Sequence, residues 1–138
     1  GADTLIGGQG NDTLVGGLGA DVFKWSLGDQ GTTANPASDT IVGFENNTSG
    51  EKLDLADLLV GEHSGGTSNL TNYLHFSTSG SDTVISVSHD GGFTGGTYNP
   101  AAVDQKITLT GVNLVGSFTT DGQIVADLMS RNKLHVDS

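Results

Sequence analysis

Residues 1–24 repeat with a period of nine, and that period constrains the fold more than anything else in the chain. Aligned, they read Gly1-Ala2-Asp3-Thr4-Leu5-Ile6, then Gly7-Gly8-Gln9-Gly10-Asn11-Asp12-Thr13-Leu14-Val15, then Gly16-Gly17-Leu18-Gly19-Ala20-Asp21-Val22-Phe23-Lys24. The first copy lacks its leading three residues, so the sequence is expected to be a piece of something longer. The Gly-Gly-x-Gly-x-Asp part reads as a turn. Its glycines can take backbone angles closed to other residues, and so aim carbonyl oxygens inward. The three residues that follow make a strand too short to bury more than one side chain. Leu5, Leu14 and Phe23 hold that buried position in successive copies. Two nonapeptides complete one turn of a coil, so turns from alternate copies stack on the same side.

Stacked in this way, Asp3 and Asp21 flank one site, with carbonyls from Gly1 and from Gly16, Leu18 and Gly19. Asp12 lies on the opposite edge with Gly7, Gln9 and Gly10. Its partner is expected from residues upstream, or from the following loop, where Asp29 and Asp39 are candidates. Short carboxylates on glycine-rich turns are what a hard, oxygen-seeking cation needs. Calcium takes such ligands at about 2.3–2.6 Å. Without a metal the stacked carboxylates repel and the narrow strands bury little, so binding and folding are expected to be coupled.

Composition supports this reading. Glutamate occurs only at Glu45, Glu51 and Glu62, so aspartate supplies nearly all of the 16 acids. A merely solvated surface would use both. The formal charge of −11 repels phosphate backbones and anionic lipid, which argues against nucleic-acid or direct membrane binding. There is no cysteine, hence no disulfide, thiolate metal site or cysteine nucleophile. No apolar run approaches 18 residues, so no transmembrane helix is expected.

Beyond the repeats, 25–38 reads as a loop, 38–44 as a strand and 46–50 as a turn. Apolar residues at 53, 55, 58 and 59 fit a short helix over 53–60. Ser68 or Asn69 is expected to cap another short helix through Leu74. Residues 83–88 and 106–110 alternate as strands, the glycine-rich 90–96 stretch is a hairpin, 122–132 is the best helix, and 133–136 is a closing strand. The expected fold is all-β: a short right-handed parallel β-roll over 1–24, continuing into a β-sandwich-like portion over 25–138 with two or three short helices.

The segment Gly7–Lys24 resembles the repeats-in-toxin (RTX) nonapeptide, the hemolysin-type calcium-binding repeat of Gram-negative proteins exported by type I secretion. The resemblance continues through Gly19-Ala20-Asp21-Val22-Phe23-Lys24-Trp25, Asp39-Thr40-Ile41-Val42-Gly43-Phe44 and 51–59. It continues again in Ile107-Thr108-Leu109-Thr110-Gly111-Val112-Asn113-Leu114 and in 124–129. Together these are similar to the C-terminal end of large RTX adhesins. The resemblance implies a calcium-binding secretion domain, recognised by a type I ABC transporter, that folds on meeting calcium outside the cell. It also implies that Asp39 ligates calcium and caps the roll. Gly43 stands where the family often has aspartate, and no ligand is expected there.

Other constellations carry less. His63, His75, His89 and His135 lack metal-ligand spacing, and contiguous Ser88-His89-Asp90 cannot form a triad. The chain is expected not to be an enzyme, and to be a monomer as a fragment, secreted or on the cell surface. Three alternatives stay open: the tail of an RTX protease or lipase, a glycan-binding module using Trp25 or Tyr98, and a passive structural cap.

Overall fold

Through its first five strands the chain alternates between two sheets. The computed structural model describes residues 3–16, 20–44, 51–59, 70–131 and 133–136. Strands β1 (Thr4–Ile6), β3 (Val22–Ser26), β5 (Lys52–Asp57) and β9 (Leu134–His135) form one sheet in that order. Strands β2 (Thr13–Val15), β4 (Ala37–Val42), β8 (Gln105–Leu109), β7 (Asp82–Val87) and β6 (Leu74–Ser79) form the other. All pairings along the first sheet are parallel, as are β2–β4 and β4–β8. This is β-roll-like wiring, and it continues well past the repeats. The boundary expected at residue 24 falls inside β3, and the later strands extend the same two sheets. Where a β-sandwich-like portion was expected, the second sheet continues antiparallel through β8–β7–β6.

The register explains why such short strands suffice. On the first sheet Leu5 pairs with Phe23, Phe23 with Leu53 and Leu53 with Leu134. On the second, Leu14 pairs with Ile41 and Ile41 with Leu109. Each strand therefore adds an inward apolar residue to one of two continuous stacks, one on each sheet. Leu5 and Leu14 are only partly buried, whereas Phe23, Ile41, Leu53 and Leu109 are sealed from solvent. Burial thus rises from the repeats into the later strands, and one cluster of apolar side chains runs through both.

Two expectations about local structure are corrected. Over 53–57 the expected helix is strand β5 instead, because Leu53 and Leu55 point inward as alternate residues between two parallel neighbours. Tertiary pairing overrode an ambiguous apolar spacing. Leu70–Asn72 is a single 3-10 turn, and Leu74 opens β6, which joins β7 through a turn at Gly80 with φ +62°. The expected capping positions Ser68 and Asn69, and the turn at 46–50, lie outside the described residues. Among the described residues α1 (Asp121–Ser130) is the one α-helix. Thr120 caps it by accepting the Gln123 N–H while the Gln123 side chain reaches back, and Ile124, Val125 and Leu128 are buried. Residues 94–96 and 100–102 form 3-10 turns in the connection between β7 and β8.

The apolar stack makes a quantitative prediction. Leu53→Ala should cost about 2–5 kcal/mol, whereas Leu27→Ala, at a residue 58% exposed, should stay within about 0.5 kcal/mol. Urea denaturation at saturating calcium measures both.

Candidate metal centre

The repeats place their aspartates immediately before each strand, so the sheet registers stack them. Asp3 precedes β1 and Asp21 precedes β3, and Asp21 Oδ1 accepts the Asp3 backbone N–H at 3.0 Å. The Val22 N–H returns to the Asp3 carbonyl at 2.8 Å. On the other edge Asp39 Oδ1 accepts the Asp12 N–H at 2.8 Å, and the Thr40 N–H donates to the Asp12 carbonyl at 2.8 Å. The two edges thus carry the same rung, one Asp3–Asp21 and one Asp12–Asp39. Of the two partners considered for Asp12 within the chain, Asp39 is the one that reaches it. Asp29 instead accepts the Ser26 N–H at 2.9 Å and closes its own turn.

What remains on the repeat aspartates is the informative part. Asp12 Oδ2 and Asp21 Oδ2 are buried and have no hydrogen-bond partner among the described residues. Each lies over the first glycine of its own repeat. A Cβ on Gly7 would stand 2.7 Å from Asp12 Oδ2, and one on Gly16 would stand 2.7 Å from Asp21 Oδ2. Gly8 and Gly10 have φ of +77° and +92°, which a side chain would resist, so the Asp12 turn is shaped by glycine alone. A buried, unpaired carboxylate oxygen is costly unless a cation or donor meets it. The donor set is all oxygen and the glycines clear space beside it, so these residues fit a hard divalent cation. Asp3 and Asp21 with the Gly16 turn would hold one on the first edge, and Asp12 with the Gly7–Gly10 turn would hold one on the other. The expected contributors Gly1, Leu18 and Gly19 lie outside the described residues. The Gln9 side chain donates to the Gly28 carbonyl at 3.2 Å, tying its turn to the loop above.

Asp39 differs from the repeat aspartates. It is wholly buried on the inner face of β4, and its Oδ2 accepts from Trp25 Nε1 at 2.8 Å and Gln105 Nε2 at 3.1 Å. Burial pushes its carboxyl above the usual range, while the donors from Trp25, the Asp12 backbone and Gln105 pull it back. Trp25 is 1% exposed, so it packs under the roll and, against the glycan-binding alternative, offers no platform for a sugar.

One grouping was not legible in the sequence. His89, Asp90 and Asp104 bring one potential ligand atom each within 4.8 Å of one another. Asp104 accepts the His89 backbone N–H at 3.2 Å and pairs with His89 Nδ1, and Asp90 accepts from Ser88 Oγ at 3.1 Å. These contacts brace the exit of β7 against the entrance of β8. Fifteen residues separate His89 from Asp104, and no local spacing could announce the pairing.

Residues 1–23 match the family model of the RTX calcium-binding nonapeptide repeat (4 copies). No curated protein matches the chain. Among solved structures it is similar to the R2 subunit of the mannuronan C5-epimerase AlgE6 from Azotobacter vinelandii. The identity is 26% and the TM-score 0.60, over 100% of this chain and 73% of that one. It is also similar in fold to the R3 subunit of the same enzyme, at 23% identity and TM-score 0.50, over 78% of this chain and 55% of that one.

The cradle predicts that Gly16→Ala will destabilise the protein by about 1–3 kcal/mol and weaken calcium binding, because the new methyl meets both Asp21 and the Phe23 ring. Calorimetric titration with calcium checks it. The match and the rungs agree: the chain carries RTX calcium-binding nonapeptide repeats at its N-terminal end.

Proposed function

We propose that this chain is a calcium-ordered β-roll domain of a protein exported to the cell surface or beyond, and that it is not itself an enzyme. The observation that carries the reading is the buried Oδ2 of Asp21, which has no hydrogen-bond partner among the described residues, beside the Gly16 cradle. Calcium bound there supplies the positive charge that the stacked carboxylates lack. The chain's own residues do the rest. Asp21 holds the Asp3 backbone through Oδ1 and leaves Oδ2 for the ion, while the glycine turns let the oxygens approach. With that charge absent, the first strands keep their ladder hydrogen bonds but bury little more than Leu5 and Leu14, each only partly covered. Calcium should therefore order the N-terminal coil more than the later strands. Extracellular calcium modules commonly bind at about 10⁻⁴–10⁻³ M, which suits a domain ordered outside the cell. Among the described residues no helix is long and apolar enough to cross a membrane, a statement that does not bear on β-barrels.

The finer assignments rest on the sequence resemblance to the ends of RTX adhesins: an export signal in the last third, recognised by a type I ABC transporter, and an adhesin parent. The second reading is favoured by the similarity to the AlgE6 subunit along the whole chain. In it, the domain is an accessory module of a carbohydrate-modifying enzyme rather than of an adhesin, protease or lipase. Tyr98, 37% exposed and stacked on His75 with ring centroids 3.9 Å apart, is the aromatic face that remains for a sugar.

Calcium titration followed by circular dichroism and calorimetry tests the main reading. A rise in β signal and melting temperature near millimolar calcium is expected, weakened by Asp21→Ala. A protein folded in chelator and indifferent to calcium would refute it. For the second reading, mannuronan oligosaccharide should bind only when calcium is present, and Tyr98→Ala should abolish that binding. No binding in either condition would leave the accessory-module reading without support.

A further inference from the structure

Above the repeats, both acidic ladders gain one more rung, and each of these meets its partner inside the protein. The register that pairs Val22 with Lys52 and Phe23 with Leu53 puts Glu51 directly above Asp21, and the Lys52 N–H donates to the Asp21 carbonyl at 2.9 Å. Glu51-Lys52-Leu53 thus occupies the place of Asp-x-apolar in a repeat. Glu51 is 1% exposed, and Lys133, wholly buried, puts its Nζ 3.6 Å from Glu51 Oε1 and 5.2 Å from the Phe44 ring centroid. On the other edge Asp39-Thr40-Ile41 occupies the same place above Asp12, and its Oδ2 receives Trp25 and Gln105. An ammonium closes one ladder and two neutral N–H donors close the other. By contrast, the aspartates one rung lower, Asp12 and Asp21, each keep a buried oxygen with no donor among the described residues.

We propose that the protein ends its own calcium ladder: Lys133 stands in for a cation at the Glu51 rung, Trp25 and Gln105 do so at Asp39, and calcium is confined to the repeat rungs below. The proposal rests on the calcium reading of the repeats. Asp39 is then a positioning residue rather than a ligand, holding the Asp12 backbone so that the Asp12 carboxylate faces its own turn. Three consequences distinguish this from a ladder that binds metal along its whole length. The terminal acids add no ion to the count. Their donors are needed at every calcium concentration. And Glu51 and Lys133 depend on each other, since a buried charge left without its partner destabilises far more than the loss of both charges.

Equilibrium dialysis against calcium, with wild type, Asp39→Asn, Glu51→Gln and Asp21→Asn, reads the first consequence. Asp39→Asn and Glu51→Gln are expected to bind as many ions as wild type, and Asp21→Asn one fewer. An ion lost from either of the first two overturns the proposal for that rung. Denaturation at saturating calcium reads the other two. Trp25→Phe should lower the folding constant roughly ten- to a hundredfold, through a lost donor to a carboxylate. Combined with Asp39→Asn it should lower it by less than the product of the two single effects. Multiplicative effects would show that Trp25 acts only by packing and would overturn the Asp39 assignment. Lys133→Met should be far less stable than Glu51→Gln/Lys133→Met, and a double variant no more stable than the single one would overturn the Lys133 assignment. If Asp21→Asn loses no ion, the calcium reading of the repeats fails, while the paired variants still judge the terminal rungs.

Discussion

Stacked carboxylates are the constraint on which the rest of this structure depends. A nonapeptide coil repeats its acid at the same height on every second strand, and parallel register then sets one acid above another. Like charges held that close destabilise the stack unless a cation or a set of donors lies between them. The short strands contribute little to offset this, since each adds one inward apolar side chain. The fold answers with a gradient. At the N-terminal end Asp12 and Asp21 each keep a buried oxygen with no hydrogen-bond partner among the described residues, and Leu5 and Leu14 are only partly covered. Further along, the acids are met by protein donors and the apolar stack is sealed.

This gradient links the metal to the order of the chain. Under the proposed reading, where the counter-charge must come from solution the coil is as ordered as the calcium supply allows. Where Lys133, Trp25 or Gln105 meets the acid, order comes with the fold itself. The hairpin β6–β7 and helix α1 belong to this second part. Asp121, in the first turn of α1, accepts the Phe76 N–H at 2.9 Å and meets His75 Nδ1 at 2.8 Å, fixing the helix to β6. Lys133 follows α1 directly, with its N–H on the Leu128 carbonyl and its own carbonyl accepting the Leu53 N–H. The helix therefore does more than cover apolar surface: it delivers the ammonium to Glu51.

The sequence carried much of this, and the places where it misled are physical. The segment 53–59 has apolar residues whose spacing satisfies a short helix as well as a buried strand, and only the neighbours β3 and β9 decide between them. Strand β6 was hidden because His75, Ser77 and Thr78 give a weak alternation that only pairing with β7 makes meaningful. Asp39-Thr40-Ile41 and Glu51-Lys52-Leu53 keep the aspartate-or-glutamate, spacer, apolar triplet of the repeats after the glycines are gone. The signal for continuing coils was present, but without the turn motif nothing in one dimension separates it from an ordinary strand start.

By itself the sequence determined the period-nine coil, the stacked positions of Leu5, Leu14 and Phe23, and the pairing of Asp3 with Asp21. Those follow from glycine turns and a repeat length, which are local properties. The tertiary structure alone decided which acids keep an oxygen for a metal and which are closed by the protein. Trp25 and Asp39 lie on facing sheets, Gln105 follows Asp39 by 66 positions, and Lys133 lies beyond a helix from Glu51. Donors brought together over such distances leave no mark on local sequence, because what selects them is the register of two sheets and the cost of leaving a buried charge alone.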